Sequence, residues 1–200
     1  MKYKFTLFFV GLWLLCSLTS AQEIDNSAKL NLYNDLLNTE ISIINQKETL
    51  KLKDVKNKVI IAIFWASWCG PCVRQAMDLQ IIKTEFQKDD LFLIGLNADP
   101  EDKDDIYRFL GKRKAPKSSV ISGSATADNK DFLKALKQNK FNYPLGFVKE
   151  DLFGSLLKVS KKDAIPQIII INNGEIKEIY VGANRTEKIQ QNLKEIFAQK

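Results

Sequence analysis

Cys69 and Cys72, with two residues between them, lie at the junction of two different periodicities, and that junction constrains the fold more than any other part of the chain. Ahead of it, Val59-Ile60-Ile61-Ala62-Ile63-Phe64 is an unbroken β-branched and aromatic run, the pattern of a strand buried on both faces. Behind it, Val73 to about Phe86 takes helical spacing, with Met77, Leu79, Ile82 and Phe86 as the apolar stripe. The pair therefore closes a central strand and opens a helix. Free backbone N–H groups and the positive end of the helix dipole point at that spot, which favours a thiolate at Cys69. Pro71 suits the first helical turn, where its missing N–H is not needed. The two-residue spacer, Gly70-Pro71, keeps both sulfurs on one turn, close enough to form a disulfide and open it again.

Other uses of the cysteines fit less well. A structural zinc site takes about four ligands, and this chain has three cysteines and no histidine. A c-type haem attachment places a histidine directly after the second cysteine, where Val73 stands. An inert disulfide across two residues closes almost no chain and gains little from loop entropy. Redox chemistry at Cys69 and Cys72 is the reading retained, and the pattern implies no metal and no cofactor.

The run Trp68-Cys69-Gly70-Pro71-Cys72 after an apolar strand resembles the active-site motif of the thioredoxin superfamily. Phe64-Trp65-Ala66-Ser67-Trp68 is similar to the secreted, cytochrome-maturation branch of that superfamily (TlpA/ResA-like). Far downstream, Ala164-Ile165-Pro166 precedes the apolar run Gln167-Ile168-Ile169-Ile170-Ile171. The resemblance implies that Pro166 is in the cis form and packs against the cysteine pair. The residues alone give only an X-Pro at a strand start, and an ordinary strand-opening proline is the alternative. The resemblance further implies an α/β thioredoxin fold, a central mixed sheet flanked by helices. An N-terminal β-hairpin extension and an insertion before the Pro166 strand would be added to it. Cys69 and Cys72 would be the catalytic pair, supported by Trp68, Gly70, Pro71 and Pro166.

The N-terminus bears on the compartment. Lys2 and Lys4 form a basic start, Phe5 to Leu18 is almost wholly apolar, and Thr19-Ser20-Ala21 offers the small residues read by a signal peptidase. The expectation is a signal peptide over residues 1–21 and one thioredoxin-like domain over 22–200. The apolar stretch is short for a spanning helix, which needs roughly 20 residues; an uncleaved membrane anchor is the rival. Cys16 raises lipidation, but Leu15 stands before it where a small residue is usual. Export permits disulfides, and after cleavage Cys69 and Cys72 would be the only cysteines.

Composition fits one globular domain, with 45% hydrophobic and 27% charged residues. The net charge of +6 is spread along the chain. Its densest basic cluster, Lys112-Arg113-Lys114 with Lys117, lacks the interleaved aromatics of a nucleic-acid surface, so no nucleic-acid partner is expected.

Along the chain, Gln22 to Lys29 reads as a loose polar start, and Thr39–Ile43 with Thr49–Leu52 as the arms of a hairpin. Leu91–Asn97 reads as a second central strand, Asp104–Leu110 as a helix, and Lys112–Asn129 as a segment of undecided structure. Asp131–Gln138 and Asp151–Val159 read as helices. Asn172-Asn173-Gly174 signals a tight hairpin between strands Gln167–Ile171 and Glu175–Val181. Thr186 is read as the cap of a closing helix to about Ala198, which also accounts for Asn184-Arg185-Thr186 without invoking glycosylation.

The chemistry expected is thiol–disulfide exchange, with Cys69 attacking and Cys72 resolving. The Gly-Pro spacer is that of reducing thioredoxins, so disulfides of exported proteins would be reduced. The resemblance implies an apocytochrome c as one such substrate and a membrane thiol carrier as electron donor; the protein itself is read as a monomer. An isomerase or oxidase of the same fold, or a non-catalytic adaptor, are the alternatives. A peroxidase would carry Thr three residues before its reactive cysteine, where Ala66 stands. Two departures from the family pattern concern proton handling. Ile63 occupies the strand position, six before Cys69, where many thioredoxins have a buried acid, and Val73-Arg74-Gln75-Ala76-Met77 replaces an acid-containing continuation. Arg74 could assist a nearby thiolate or be a plain exposed cation, and Glu48 and Asp99 are the candidate proton relays.

Overall fold

The structure is a computed structural model that describes residues 26–44, 48–88, 90–97, 99–111 and 127–199. The segment expected as a signal peptide, the start at 22–25 and the basic cluster at 112–117 lie outside the described residues.

Among the described residues the order is α1 (26–38), β1 (Ile41–Ile43), β2 (Thr49–Leu50), a 3-10 turn (Leu52–Asp54), β3 (Val59–Phe64), α2 (Gly70–Glu85) and β4 (Leu91–Asn97). Then follow α3 (Pro100–Phe109), α4 (Ala127–Lys137), β5 (Leu145–Phe147), α5 (Glu150–Ser160), β6 (Gln167–Asn172), β7 (Glu175–Val181) and α6 (Thr186–Ala198). The strands form a seven-stranded sheet in the order β2-β1-β5-β4-β3-β6-β7. β4 runs parallel to β3 and β5, while β6 is antiparallel to β3. This is the mixed sheet flanked by helices that the resemblance implies, with its N-terminal hairpin in place.

β3 lies between β4 and β6, and all six of its residues are buried, as its unbroken apolar run requires. Its odd-numbered residues Ile61 and Ile63 pack with α2, α3, α4 and α6 through Leu79, Ile106, Leu136 and Leu193. Its even-numbered residues Ile60, Ala62 and Phe64 pack on the opposite face against α1 and α5, through Leu32, Leu36, Leu152 and Leu156.

Several expectations are corrected. Residues 26–29 are not a loose start but the first turn of α1, whose Leu32 and Leu36 are fully buried. On α2 the buried positions are Cys72, Val73, Gln75, Ala76, Leu79 and Ile82, whereas Met77 is exposed. The stripe advances in steps of three from Val73 through Ala76 and Leu79, and Met77 lies about 100° round the helix from Ala76. α3 begins at Pro100, four residues earlier than expected, because Asp99 already serves as its cap: the Asp102 N–H donates to Asp99 Oδ1 at 3.2 Å. Thr186 is the first helical residue of α6 and not its cap, which is Arg185.

The three-residue strand β5 has no counterpart in the sequence reading. It fills the gap between β1 and β4, and β1 lies so close that a Cβ on Gly146 would come within 2.4 Å of Ile41 Cγ2. The β6–β7 hairpin turns at Asn173 and Gly174, with φ of 49° and 82°, as Asn-Gly predicts.

Candidate functional site

The antiparallel register sets Phe64, the last residue of β3, opposite Gln167, the first of β6. The segments leaving those two strand ends, 65–69 and 163–166, therefore meet. Cys69 Sγ lies 3.9 Å from Ile165 O, and the Ile165–Pro166 bond is cis with Pro166 buried. The run from Trp68 to Cys72 thus meets the loop that ends at Pro166.

Cys69 is the N-cap residue of α2, and its Sγ accepts a hydrogen bond from the Cys72 N–H at 3.3 Å. That N–H is one of the donors a helix start leaves without a partner, and here it is aimed at sulfur. The two cysteines are joined as a disulfide, with Cα atoms 5.2 Å apart. Cys69 is 7% exposed and Cys72 is fully buried, so the first sulfur is the one nearer to solvent.

Trp68 is 55% exposed, yet its indole N–H donates to Asp99 Oδ2 at 2.8 Å. Of the two proposed relays, Asp99 is therefore at the site, whereas Glu48 belongs to the β1–β2 hairpin near the far sheet edge. Arg74 is exposed on α2.

The position six residues before Cys69 carries no acid, and Ile63 there is fully buried. A buried carboxyl is nevertheless present. Asp102, on the first turn of α3 and 3% exposed, accepts hydrogen bonds from the Ser67 N–H at 2.7 Å, from the Ser67 hydroxyl and from the Asn97 side-chain amide. Burial pushes its pKa above the usual aspartate value, against the opposing pull of the Ser67 and Asn97 hydrogen bonds. Sequence reasoning missed Asp102 because it lies in a run of acids that reads as a solvated face. Asp99-Pro100 ahead of it, a cap followed by a first-turn proline, was the available signal.

Two buried glutamines also escaped the sequence reading. Gln75 on α2 is 1% exposed; its Nε2 donates to Thr186 Oγ1 at 3.1 Å and its Oε1 accepts from the Arg185 N–H at 2.9 Å. Gln167 is fully buried, and its Nε2 donates to Lys162 O at 2.8 Å and Ala164 O at 2.9 Å. It thereby clamps the loop that brings Ile165 to Cys69. The Gly182 N–H secures the other side by donating to Pro166 O at 2.8 Å.

Comparison with known proteins agrees with this architecture. The AhpC/TSA family model matches residues 36–179. The thioredoxin-like protein CITRX, chloroplastic, of Oryza sativa subsp. indica is 30% identical over 86 residues, 42% of this chain and 44% of its own length. The chain thus spans less than half the length of that relative. Among solved structures, a thiol:disulfide interchange protein of the thioredoxin family from Chlorobium tepidum TLS superposes with a TM-score of 0.53 at 15% identity, covering 78% of this chain and 91% of that one. The thioredoxin domain of a thiol-disulfide oxidoreductase from Bacteroides vulgatus gives 0.52 at 16% identity, covering 80% and 94%. At such identities the likeness establishes the fold.

Proposed function

The chain belongs to the AhpC/TSA family of thioredoxin-like proteins, and from that premise we propose that it reduces disulfides of exported proteins through Cys69 and Cys72. The observation that carries the reading is the position of Cys69 Sγ, capping α2 and accepting the Cys72 N–H. In the reduced protein the same N–H and the helix dipole stabilise a Cys69 thiolate. That thiolate attacks one sulfur of a substrate disulfide, forming a mixed disulfide and expelling the other substrate sulfur as thiolate, which takes up a proton. Cys72 then loses its proton and attacks Cys69 Sγ. The substrate leaves with both sulfurs reduced, and the Cys69–Cys72 disulfide is left behind. Two electrons pass from the pair to the substrate, and an external dithiol must restore them.

Trp68, Gly70, Pro71 and Pro166 shape the surface on which this exchange takes place. The basic and apolar N-terminus supports export, with residues 1–21 removed, and no helix among the described residues is long and apolar enough to cross a membrane. The resemblance to the TlpA/ResA-like branch points to an apocytochrome c among the substrates and a membrane thiol carrier as donor, with the protein acting as a monomer. Hydroperoxide reduction is not adopted, because Ala66 stands where that chemistry uses Thr and Cys72 is already the bonded partner of Cys69.

Trapping tests the reading. Cys72→Ser should keep the attack but lose resolution, and so accumulate mixed disulfides with exported proteins, identifiable by mass spectrometry. Cys69→Ser should abolish both turnover and trapping. Trapping by Cys69→Ser alone would reverse the two roles. Full insulin-reducing activity in both variants, with nothing trapped, would leave the pair non-catalytic.

A further inference from the structure

A groove of about 500 Å³ opens directly beside Cys69, between the 163–165 loop and the first turn of α5. Its floor is apolar, formed by Phe64, Leu96 and Phe153, with the rings of Phe64 and Phe153 centred 5.9 Å apart. Its rim carries three carboxylates, Asp99, Glu150 and Asp163, and no cationic residue lines it among the described residues. That is against the balance of the whole chain, which carries a net charge of +6. The neighbouring lysines stand off its lining: Lys149 lines a separate cleft between α1 and α5, and Lys161 and Lys162 lie in the loop outside the groove. Asp99 has a second effect here, because its bond to the Trp68 indole N–H fixes an exposed aromatic ring at the edge of the same groove.

We infer that this groove selects the substrate segment next to the disulfide, taking a chain that carries a large apolar side chain and a lysine or arginine close to the attacked cysteine. The inference rests on the exchange reaction proposed above and specifies its substrate class. The apolar side chain removes Phe153 and Phe64 surface from water. The cation is drawn by three like-charged carboxylates against a low-dielectric floor, and it meets the Trp68 ring by a cation–π contact. An acidic segment would be repelled by the same three groups, so the rim rejects as well as attracts.

Three small disulfides test this with the reduced full chain. Two are symmetric peptide dimers joined through a single cysteine, identical but for one residue two places beyond it, Lys in one and Glu in the other, each with Leu beside the cysteine. The third is neutral hydroxyethyl disulfide. Stopped-flow rates should favour the Lys peptide over the Glu peptide by about tenfold or more at low ionic strength, and the ratio should narrow towards one near 1 M salt, where the Debye length falls to about 3 Å. The double variant Glu150→Lys/Asp163→Lys, both sites being exposed, should invert the preference. Replacing Leu by Gly in the Lys peptide should slow it several-fold. Equal rates for the two peptides at low salt, a salt-independent ratio, or a faster Glu peptide in the unmodified chain each overturn the inference while leaving the exchange reaction standing. Failure to reduce even hydroxyethyl disulfide overturns the exchange reaction itself.

Discussion

The backbone N–H of Ser67, two residues ahead of Cys69, donates to the Asp102 carboxylate at 2.7 Å, and the Ser67 hydroxyl bonds to the same group. A loop between β3 and α2 is thus tied to the first turn of α3, a connection across 35 positions of sequence. The conformation that carries Trp68 and Cys69 towards α2 is held from outside by a buried acid.

Asp102 should therefore matter to stability in a pH-dependent way. Its pKa is raised by burial above the ordinary value of 3.8. The folded chain then binds the proton more readily than the unfolded chain, so its contribution is complete below 3.8 and is lost as pH rises through the raised value. Asp102→Asn removes that titration while keeping the shape. The unmodified chain should gain stability relative to the Asn variant between about pH 7 and about pH 4, as urea unfolding would read. Asp102→Ala should cost about 2–3 kcal/mol near pH 7, since the Ser67 N–H and the Asn97 amide lose a buried acceptor, and more near pH 4, because it removes the same titration. An Asn variant whose offset does not change with pH would remove the titration argument.

Gln167 makes a second, independent hold on the site. Gln167→Leu keeps the volume but leaves Lys162 O and Ala164 O without their donor. Both residues are exposed, so water can replace the amide and the stability cost should be modest, about 1 kcal/mol. The loop at 162–165 should instead open more often, seen as faster amide hydrogen exchange there and a slower reaction of Cys69 with peptide disulfides. Unchanged exchange across that loop would show that the Pro166 side holds it alone.

What could be read from the sequence was what is written locally. β3 declares itself by six consecutive apolar residues, the β6–β7 hairpin by Asn173-Gly174, and the cysteine pair by its two-residue spacing. α1 was also legible, through Ala28, Leu32 and Leu36 at fourfold spacing, but the polar residues among them masked it. β5 was not, because three residues after a proline are too few to display a period and its place is set by β1 and β4 on either side. Asp102 and Gln167 differ again. Each is an unremarkable polar residue in sequence, and each acquires its role only when a distant backbone closes over it. β3 carries Ile63 where many thioredoxins have an acid, and the buried acid near the loop, Asp102, comes from α3 and holds Ser67.

Processing offers a direct check on the compartment. The run from Lys2 to Ala21 combines a basic start, an apolar stretch and small terminal residues. Exported protein should begin at Gln22, as intact-mass measurement or N-terminal sequencing would report. Exported material that retains residues 1–21 would instead support the anchored form.

The direction of electron flow is decided by the reduction potential of the Cys69–Cys72 couple. Two effects oppose each other at this site. The helix start and the Cys72 N–H stabilise a Cys69 thiolate, which favours the reduced pair and raises the potential. The described site places no cation on the groove beside Cys69, and its three carboxylates disfavour a further negative charge there. The Gly70-Pro71 spacer matches that of reducing thioredoxins, near −270 mV, whereas the strong oxidant DsbA lies near −120 mV. The couple should therefore equilibrate with glutathione or dithiothreitol below about −200 mV. The acid rim supplies an internal control: Glu150→Lys with Asp163→Lys should shift the potential upwards by favouring the thiolate. A value near −120 mV in the unmodified chain would make the protein an oxidant, and the substrates caught by Cys72→Ser would then be read as proteins receiving disulfides.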